Sequence, residues 1–290
     1  MSERLTIVGV GTMGRSIALA AALSKLKVTL VSRRGRRSYS DFLGFCERER
    51  KKGRISADEM YLRSYVSWSE SLREGVEDAD FVIEAREEDE NVKKELFKRL
   101  DMLCPSDVVL SSNTSSLSIT DISSVTEHQE RIIGIHFFNP AHIMRLVEVI
   151  PSQKTSKETL EKSLSLARRL GKEPVVVKDF PGFIVNRVLF TMINESSYCL
   201  MDGLADAGTI DKALELGANL PMGPLKLADY IGVDVCLNIL QNLYKRTKKD
   251  KYKPCPILDE LVQEGYLGRK TGKGIYDLQS SKYSVINSET

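Results

Sequence analysis

Short apolar runs alternate with segments of helical spacing along the first part of the chain. Leu5–Val8 and Val28–Val31 flank an Ala-rich helical segment, Gly14–Leu26, and this is the signature of a β-α-β unit. Further runs at Phe81–Ile83, Val108–Leu110 and Ile132–Ile135 are separated by charged, helix-like segments such as VKKELFKRLDML, which predicts the remaining strands of a parallel sheet. Between the second and third runs, positions 39–65 are rich in Arg, Lys and Glu with spaced apolar residues. That is too long for a plain crossover and predicts a protruding helical hairpin. After Val175–Lys178 the character changes. Pro181-Gly182 punctuates the chain, and FIVNRVLFTMINESSYCLM opens a stretch of helical spacing with few strand signals. The pattern places a sheet domain over 1–179 and an all-helical domain over 180–290, whose many apolar positions point to a homodimer interface.

Composition changes this picture little. The 290 residues are long enough for two cores, with 42% hydrophobic and 28% charged residues as in ordinary globular proteins. A net charge of +2 provides no field to collect nucleic acid or an anionic membrane. The five cysteines are scattered, never paired as C-x-x-C, and read as reduced thiols rather than a disulfide framework or metal site. The first apolar stretch is interrupted by glycines and no run of about 18 apolar residues occurs, so the expectation is a cytoplasmic, unanchored protein.

Gly9, Gly11 and Gly14, enclosing Thr12 and Met13, form G-x-G-x-x-G directly after a strand and before a helix. A tight turn there lets a pyrophosphate sit on the helix N-terminus, so the segment predicts dinucleotide binding. An acidic residue is expected about 20 residues further on to bond the ribose of NAD. Here Ser32 stands instead, followed by Arg33, Arg34, Arg36 and Arg37. A Ser and an Arg would accept a 2′-phosphate through charge-assisted bonds of roughly 1.5–3 kcal/mol, a preference of about 10- to 150-fold for NADP. The alternative is a solvated basic face at a strand end.

The stretches SSNTSSLSIT and IIGIHFFNPAHIMRLVEVI, with ADFVIEA, PGFIVNR, LGANLPMGPLKLADYIG and GRKTGKGIYD, resemble the L-3-hydroxyacyl-CoA dehydrogenase family nearly end to end. The resemblance implies a Rossmann-type doubly wound parallel sheet followed by a smaller all-α domain, an NAD(P) cofactor and an acyl-CoA substrate of short chain. Oxidising a secondary alcohol needs a base for the hydroxyl proton, and imidazole, with a pKa near 6.5, suits both directions. His136 is the candidate, although a lone His at the end of an apolar strand is by itself more often a core residue. Two strands joined by the FFNPAHIM turn would return Glu148 beside it; the other reading of Glu148 is an edge-strand surface carboxylate.

The resemblance also implies Ser115 and Asn186 near the reacting oxygen, and Glu88, Lys93, Ser115, Asn139 and Lys270 as cofactor contacts. It places a basic residue near the CoA at Lys51 and Lys52, where a solvated face is the equal alternative. Three positions depart from the family pattern: Ser32 for an acid, Arg86 for an apolar residue, and His142 where a proline or other small residue is usual. Two other functions are set against this one. An L-gulonate-type sugar-acid dehydrogenase is disfavoured by HFFNP and PMGP, and a non-catalytic dinucleotide-binding protein by the presence of His136, Glu148, Ser115 and Asn186 together.

Overall fold

The computed structural model describes residues 3–280. The chain divides into two compact units, the first ending at Phe180 and the second beginning at Pro181. In the first, chain order is β1 (Arg4–Val8), α1 (Thr12–Leu23), β2 (Lys27–Val31), α2 (Gly35–Lys51), α3 (Glu59–Tyr65), β3 (Val66–Ser69), α4 (Leu72–Val76), β4 (Phe81–Glu84), α5 (Glu90–Leu103), β5 (Val109–Ser112), α6 (Ile119–Ser123), β6 (Ile132–Phe137), β7 (Leu146–Pro151), α7 (Lys157–Arg169) and β8 (Glu173–Val176). The strands form one sheet in the order β3-β2-β1-β4-β5-β6-β7-β8. Strand order reverses between β1 and β4, which leaves the crevice at their carboxyl ends that such sheets use for ligands. Neighbouring strands are parallel except β6 and β7, which pair antiparallel.

Residue choice explains why these elements form. On α1, Ile17, Ala18, Ala21 and Ala22 are fully buried, and the small side chains bring the helix close to a sheet whose Leu5, Ile7, Leu30 and Ile83 are also buried. Each large aliphatic side chain removed from water there contributes about 1.5–3 kcal/mol. Asp89, Ser118 and Ser156 each accept a backbone N–H from three residues on, starting α5, α6 and α7. Helix α1, by contrast, begins at Gly11 with no side-chain cap.

The structure extends several predicted strands at their carboxyl ends, to Glu84, Ser112 and Phe137. Apolar periodicity stops where polar side chains begin, and here the polar ends are still paired in the sheet. Strand β3 carries no apolar run: of Val66-Ser67-Trp68-Ser69 only Val66 is buried, as befits an edge strand. Helix α2 starts at Gly35, earlier than the apolar spacing indicates, so Arg36 and Arg37 lie in its first turn.

The second unit holds α8 (Val185–Met201), α9 (Ala207–Gly217), α10 (Pro224–Ile231), α11 (Val233–Thr247) and α12 (Pro256–Gln263). Its own core gathers Phe190, Ile193, Leu225, Val233, Leu240, Leu258 and Leu261. Among the described residues no helix is long and apolar enough to cross a membrane. All five cysteines are free thiols.

Candidate active site

The glycine loop lies at the carboxyl end of β1. Gly9 has φ +107°, and a Cβ there would come within 2.6 Å of the Ala85 carbonyl oxygen. At Gly14 a Cβ would lie 1.9 Å from the Gly9 carbonyl oxygen, so the helix reaches this close to the strand only without a side chain. Gly11 differs, because a Cβ there would meet nothing within 4 Å. Open space above Gly11 and an uncapped helix start, with no acidic residue in the first turn, are what a pyrophosphate requires. The residues present therefore fit a dinucleotide. Gly9 N–H donates to the Val31 carbonyl at 3.1 Å, which sets the end of β2 beside the loop. Ser32 follows, its hydroxyl 2.8 Å from that of Ser38, and Arg33, Arg34, Arg36 and Arg37 are all exposed around it.

Further along the sheet, the ends of β4 and β5 carry a buried charge network. Glu84 is fully buried and takes Lys93 Nζ on both oxygens at 2.7 and 2.8 Å, the Ser112 hydroxyl at 2.6 Å and the Arg86 N–H at 2.6 Å. Lys93, 1% exposed, also lies 3.5 Å from Glu88 Oε2. Glu88 Oε1 gathers the Thr114 hydroxyl at 2.6 Å and the N–H groups of Ser115 and Ser116 at 2.9 and 3.0 Å. Burial pushes the Glu88 carboxyl up, but Lys93 and these donors outweigh it and hold the group below the usual carboxylate range. The Ser115 hydroxyl is 3.2 Å from Glu88 Oε1. Arg86 pairs with Glu87 at 2.6 Å.

At the neighbouring β6 and β7 the antiparallel register puts His136 directly opposite Glu148. His136 Nδ1 and Glu148 Oε2 are 2.8 Å apart, with side-chain exposures of 7% and 0%. The carboxylate accepts the Nδ1–H and thereby selects the tautomer whose basic nitrogen is Nε2. The Phe138 ring packs against the imidazole with centroids 4.5 Å apart. Asn139 follows, exposed in the turn. A glycine-rich loop after β1 and a buried His-Glu pair near the carboxyl end of β6 thus stand at the same end of one sheet.

Models of two protein-family domains match this chain: "3-hydroxyacyl-CoA dehydrogenase, NAD binding domain" over residues 4–180 and "3-hydroxyacyl-CoA dehydrogenase, C-terminal domain" over 182–278. The chain belongs to the 3-hydroxyacyl-CoA dehydrogenase family. It is 44% identical to a 3-hydroxybutyryl-CoA dehydrogenase of Clostridioides difficile over 94% of this chain and 99% of that one. A probable 3-hydroxybutyryl-CoA dehydrogenase of Bacillus subtilis is 43% identical, covering 96% and 98%. The crystal structure of (S)-3-hydroxybutyryl-CoA dehydrogenase from Ralstonia eutropha superposes with a TM-score of 0.88 at 40% identity, covering 95% of this chain and 99% of that one. The protein is accordingly an NAD(P)-dependent oxidoreductase.

Within this 3-hydroxyacyl-CoA dehydrogenase the other expected positions are distributed as follows. Lys51, 74% exposed, lies 3.9 Å from Glu47, whereas Lys52 is bonded to the buried Glu49 at 2.9 Å. Asn186 is buried near the start of α8, in the second unit. Lys270, also in the second unit, is ion-paired with Asp234. The motif reading gave no role to Glu84, although ADFVIEA contains it. A carboxylate closing an otherwise apolar buried strand was the available signal, since burial without a partner is costly.

Proposed function

We propose that this enzyme interconverts a short-chain (S)-3-hydroxyacyl-CoA, such as 3-hydroxybutyryl-CoA, and the matching 3-oxoacyl-CoA, with NADP preferred over NAD. The observation that carries the reaction is the buried His136–Glu148 pair. In the oxidative direction His136 Nε2 takes the hydroxyl proton, and Glu148, already bonded to Nδ1–H, stabilises the imidazolium that forms. In reduction the same nitrogen returns the proton to the alkoxide. The bound dinucleotide supplies hydride transfer at the carbon. Ser115 and Asn186 donate hydrogen bonds to the reacting oxygen, and Asn139 to the nicotinamide amide. Glu88, held by Lys93 and by the Ser115 and Ser116 amides, fixes the loop that presents Ser115.

Gly9, Gly11, Thr12, Met13 and Gly14 cradle the pyrophosphate, and Ser32, Arg33 and Arg34 take the 2′-phosphate. Support for the last assignment comes from the helix dipole. Arg36 and Arg37 lie in the first turn of α2, whose amino end already carries positive partial charge, and its first turn contains no acid. A bound phosphate relieves that repulsion. Lys51, exposed and only 3.9 Å from Glu47, is assigned to a CoA phosphate, with Lys52 next to it; Lys270 is assigned a cofactor-side charge contact. A homodimer through the helical unit accounts for its exposed Ile184, Val188, Leu204 and Leu216. A cytoplasmic location completes the reading.

The test is the initial rate of acetoacetyl-CoA reduction with NADPH and NADH in parallel. Activity favouring NADPH at least about tenfold in kcat/KM supports both parts. Activity favouring NADH removes the arginine assignment, and inactivity with both removes the reaction.

A further inference from the structure

The turn between β6 and β7 is bracketed by two buried imidazole–carboxylate pairs, and only one of them is the pair used in the chemistry. In the other, His142 Nε2 lies 3.1 Å from Glu49 Oε2, with side-chain exposures of 1% and 5%. His142 Nδ1 is 2.9 Å from the Ser16 hydroxyl, and the His142 backbone N–H reaches the same oxygen at 3.3 Å. Glu49 further accepts Lys52 and Arg54, each at 2.9 Å.

Donors and acceptors close in one arrangement. His142 is neutral with its proton on Nε2, donating to Glu49; the Ser16 O–H donates to Nδ1; and the His142 backbone N–H donates to Ser16 Oγ. A second proton on the ring would leave the buried Ser16 hydroxyl hydrogen without its acceptor. The three partners come from separate parts of the site. Ser16 is on α1, just past the glycine loop, and Glu49 is in the last turns of α2, beside the basic end of the hairpin. His142 is on the turn that carries Phe138 and Asn139. The Phe45 ring of α2 packs edge-on against His142, with centroids 5.6 Å apart, and Ala141 next to it is 1% exposed.

We propose that His142 is a positioning residue for the reaction: as a neutral imidazole it clasps the β6–β7 turn to α1 and α2. It thereby sets the Phe138 ring against His136, and the neighbouring Asn139, in one fixed geometry. This rests on the assignment of His136 as the base. The charged groups facing His142 are Glu49 of α2, Lys52 and Arg54 just after it, and Lys172 after α7; Arg15 of α1 stacks over the Phe45 ring. Burial holds His142 below its ordinary value; Glu49 opposes this, and Arg54 and Lys172 add to it. The neutral form the bonding requires is therefore the form present near neutrality.

The experiment compares His142→Ala and His142→Gln with the unaltered enzyme. It measures kcat and KM for acetoacetyl-CoA at saturating dinucleotide, with active sites counted by dinucleotide fluorescence titration. Turnover by the unaltered enzyme is read first, and its absence counts against the proposed reaction. Given turnover, H142A is expected to lower kcat per binding site about tenfold or more, since small misplacements of reacting groups carry such costs. H142Q, whose amide can donate to Glu49 and accept from Ser16, is expected to recover most of that loss. A kcat for H142A within about twofold of the unaltered enzyme overturns the proposal, as does recovery of melting temperature by H142Q without recovery of kcat. If H142A does not fold, Ser16→Ala cuts only the two bonds to α1 and is expected to lower kcat several-fold; an unchanged kcat there also overturns it.

Discussion

At the scale of single residues, the proposed chemistry rests on one imidazole, His136, bonded to one carboxylate, Glu148. A positioned base contributes roughly 100- to 10,000-fold, so His136→Ala should lose that much kcat while dinucleotide affinity stays within about twofold. Single-turnover kinetics with a fluorescence titration checks both numbers, and retained turnover would remove His136 from the mechanism. Replacing Arg33 and Arg34 together by Ala should weaken NADPH binding by about tenfold or more and leave NADH binding nearly unchanged. Equal losses would mean that the two charges act nonspecifically. The pairing of His136 with Glu148 was legible in the sequence because the two sit in one short stretch, only 12 positions apart. The His142–Glu49 bond spans 93 positions, and spacing carries no trace of such a contact. Nor does a hydrophobic pattern reveal that Lys93 is fully engaged by Glu84 rather than turned to solvent.

At the scale of elements, two charge networks fasten helices to the sheet. Lys93 joins α5 to the end of β4, and Lys93→Met would leave Glu84 buried and uncompensated. The expected loss is about 3–5 kcal/mol, read as a lower urea midpoint. The clasp around Glu49 has a pH signature. Burial alone would raise this carboxyl, but Lys52, Arg54 and His142 hold it at about 2 against an ordinary 4.5, so its stabilisation is complete above pH 4.5 and is lost as pH falls toward 2. His142 is also lowered, so the unfolded chain takes up its proton first as pH falls through 6.5. Stability should therefore already decline below pH 6.5, and in His142→Gln that upper part of the decline should flatten. Melting temperatures of both proteins from pH 7.5 to 5 decide it; parallel curves would assign the slope to other groups. Strand middles were legible from apolar runs, whereas their polar ends and β3 were not, because edge exposure and site chemistry both suppress the hydrophobic signal.

At the scale of the whole molecule, the exposed apolar side chains of the helical unit predict twice the chain mass in sedimentation equilibrium at micromolar concentration; a single-chain mass would reject the dimer. The fold class was readable because alternation of strand and helix is a property of long windows, in which single errors average out. The sheet itself is assembled mainly from strands far apart in sequence, and its closure waits on many slow, distant pairings. The antiparallel step between β6 and β7 is the exception. A hairpin of this size closes in about 1–10 μs, so His136 and Glu148 can meet before most of the sheet exists. Their meeting depends on strand phase: side chains alternate faces with a period of two, and a slip of one residue would put Val147 or Val149 opposite His136 and turn Glu148 to the other side. Under the proposed mechanism the length of the turn is thus a catalytic parameter. One residue inserted between Asn139 and Arg145 that shifts the pairing would abolish proton transfer in a chain whose core residues are all unchanged.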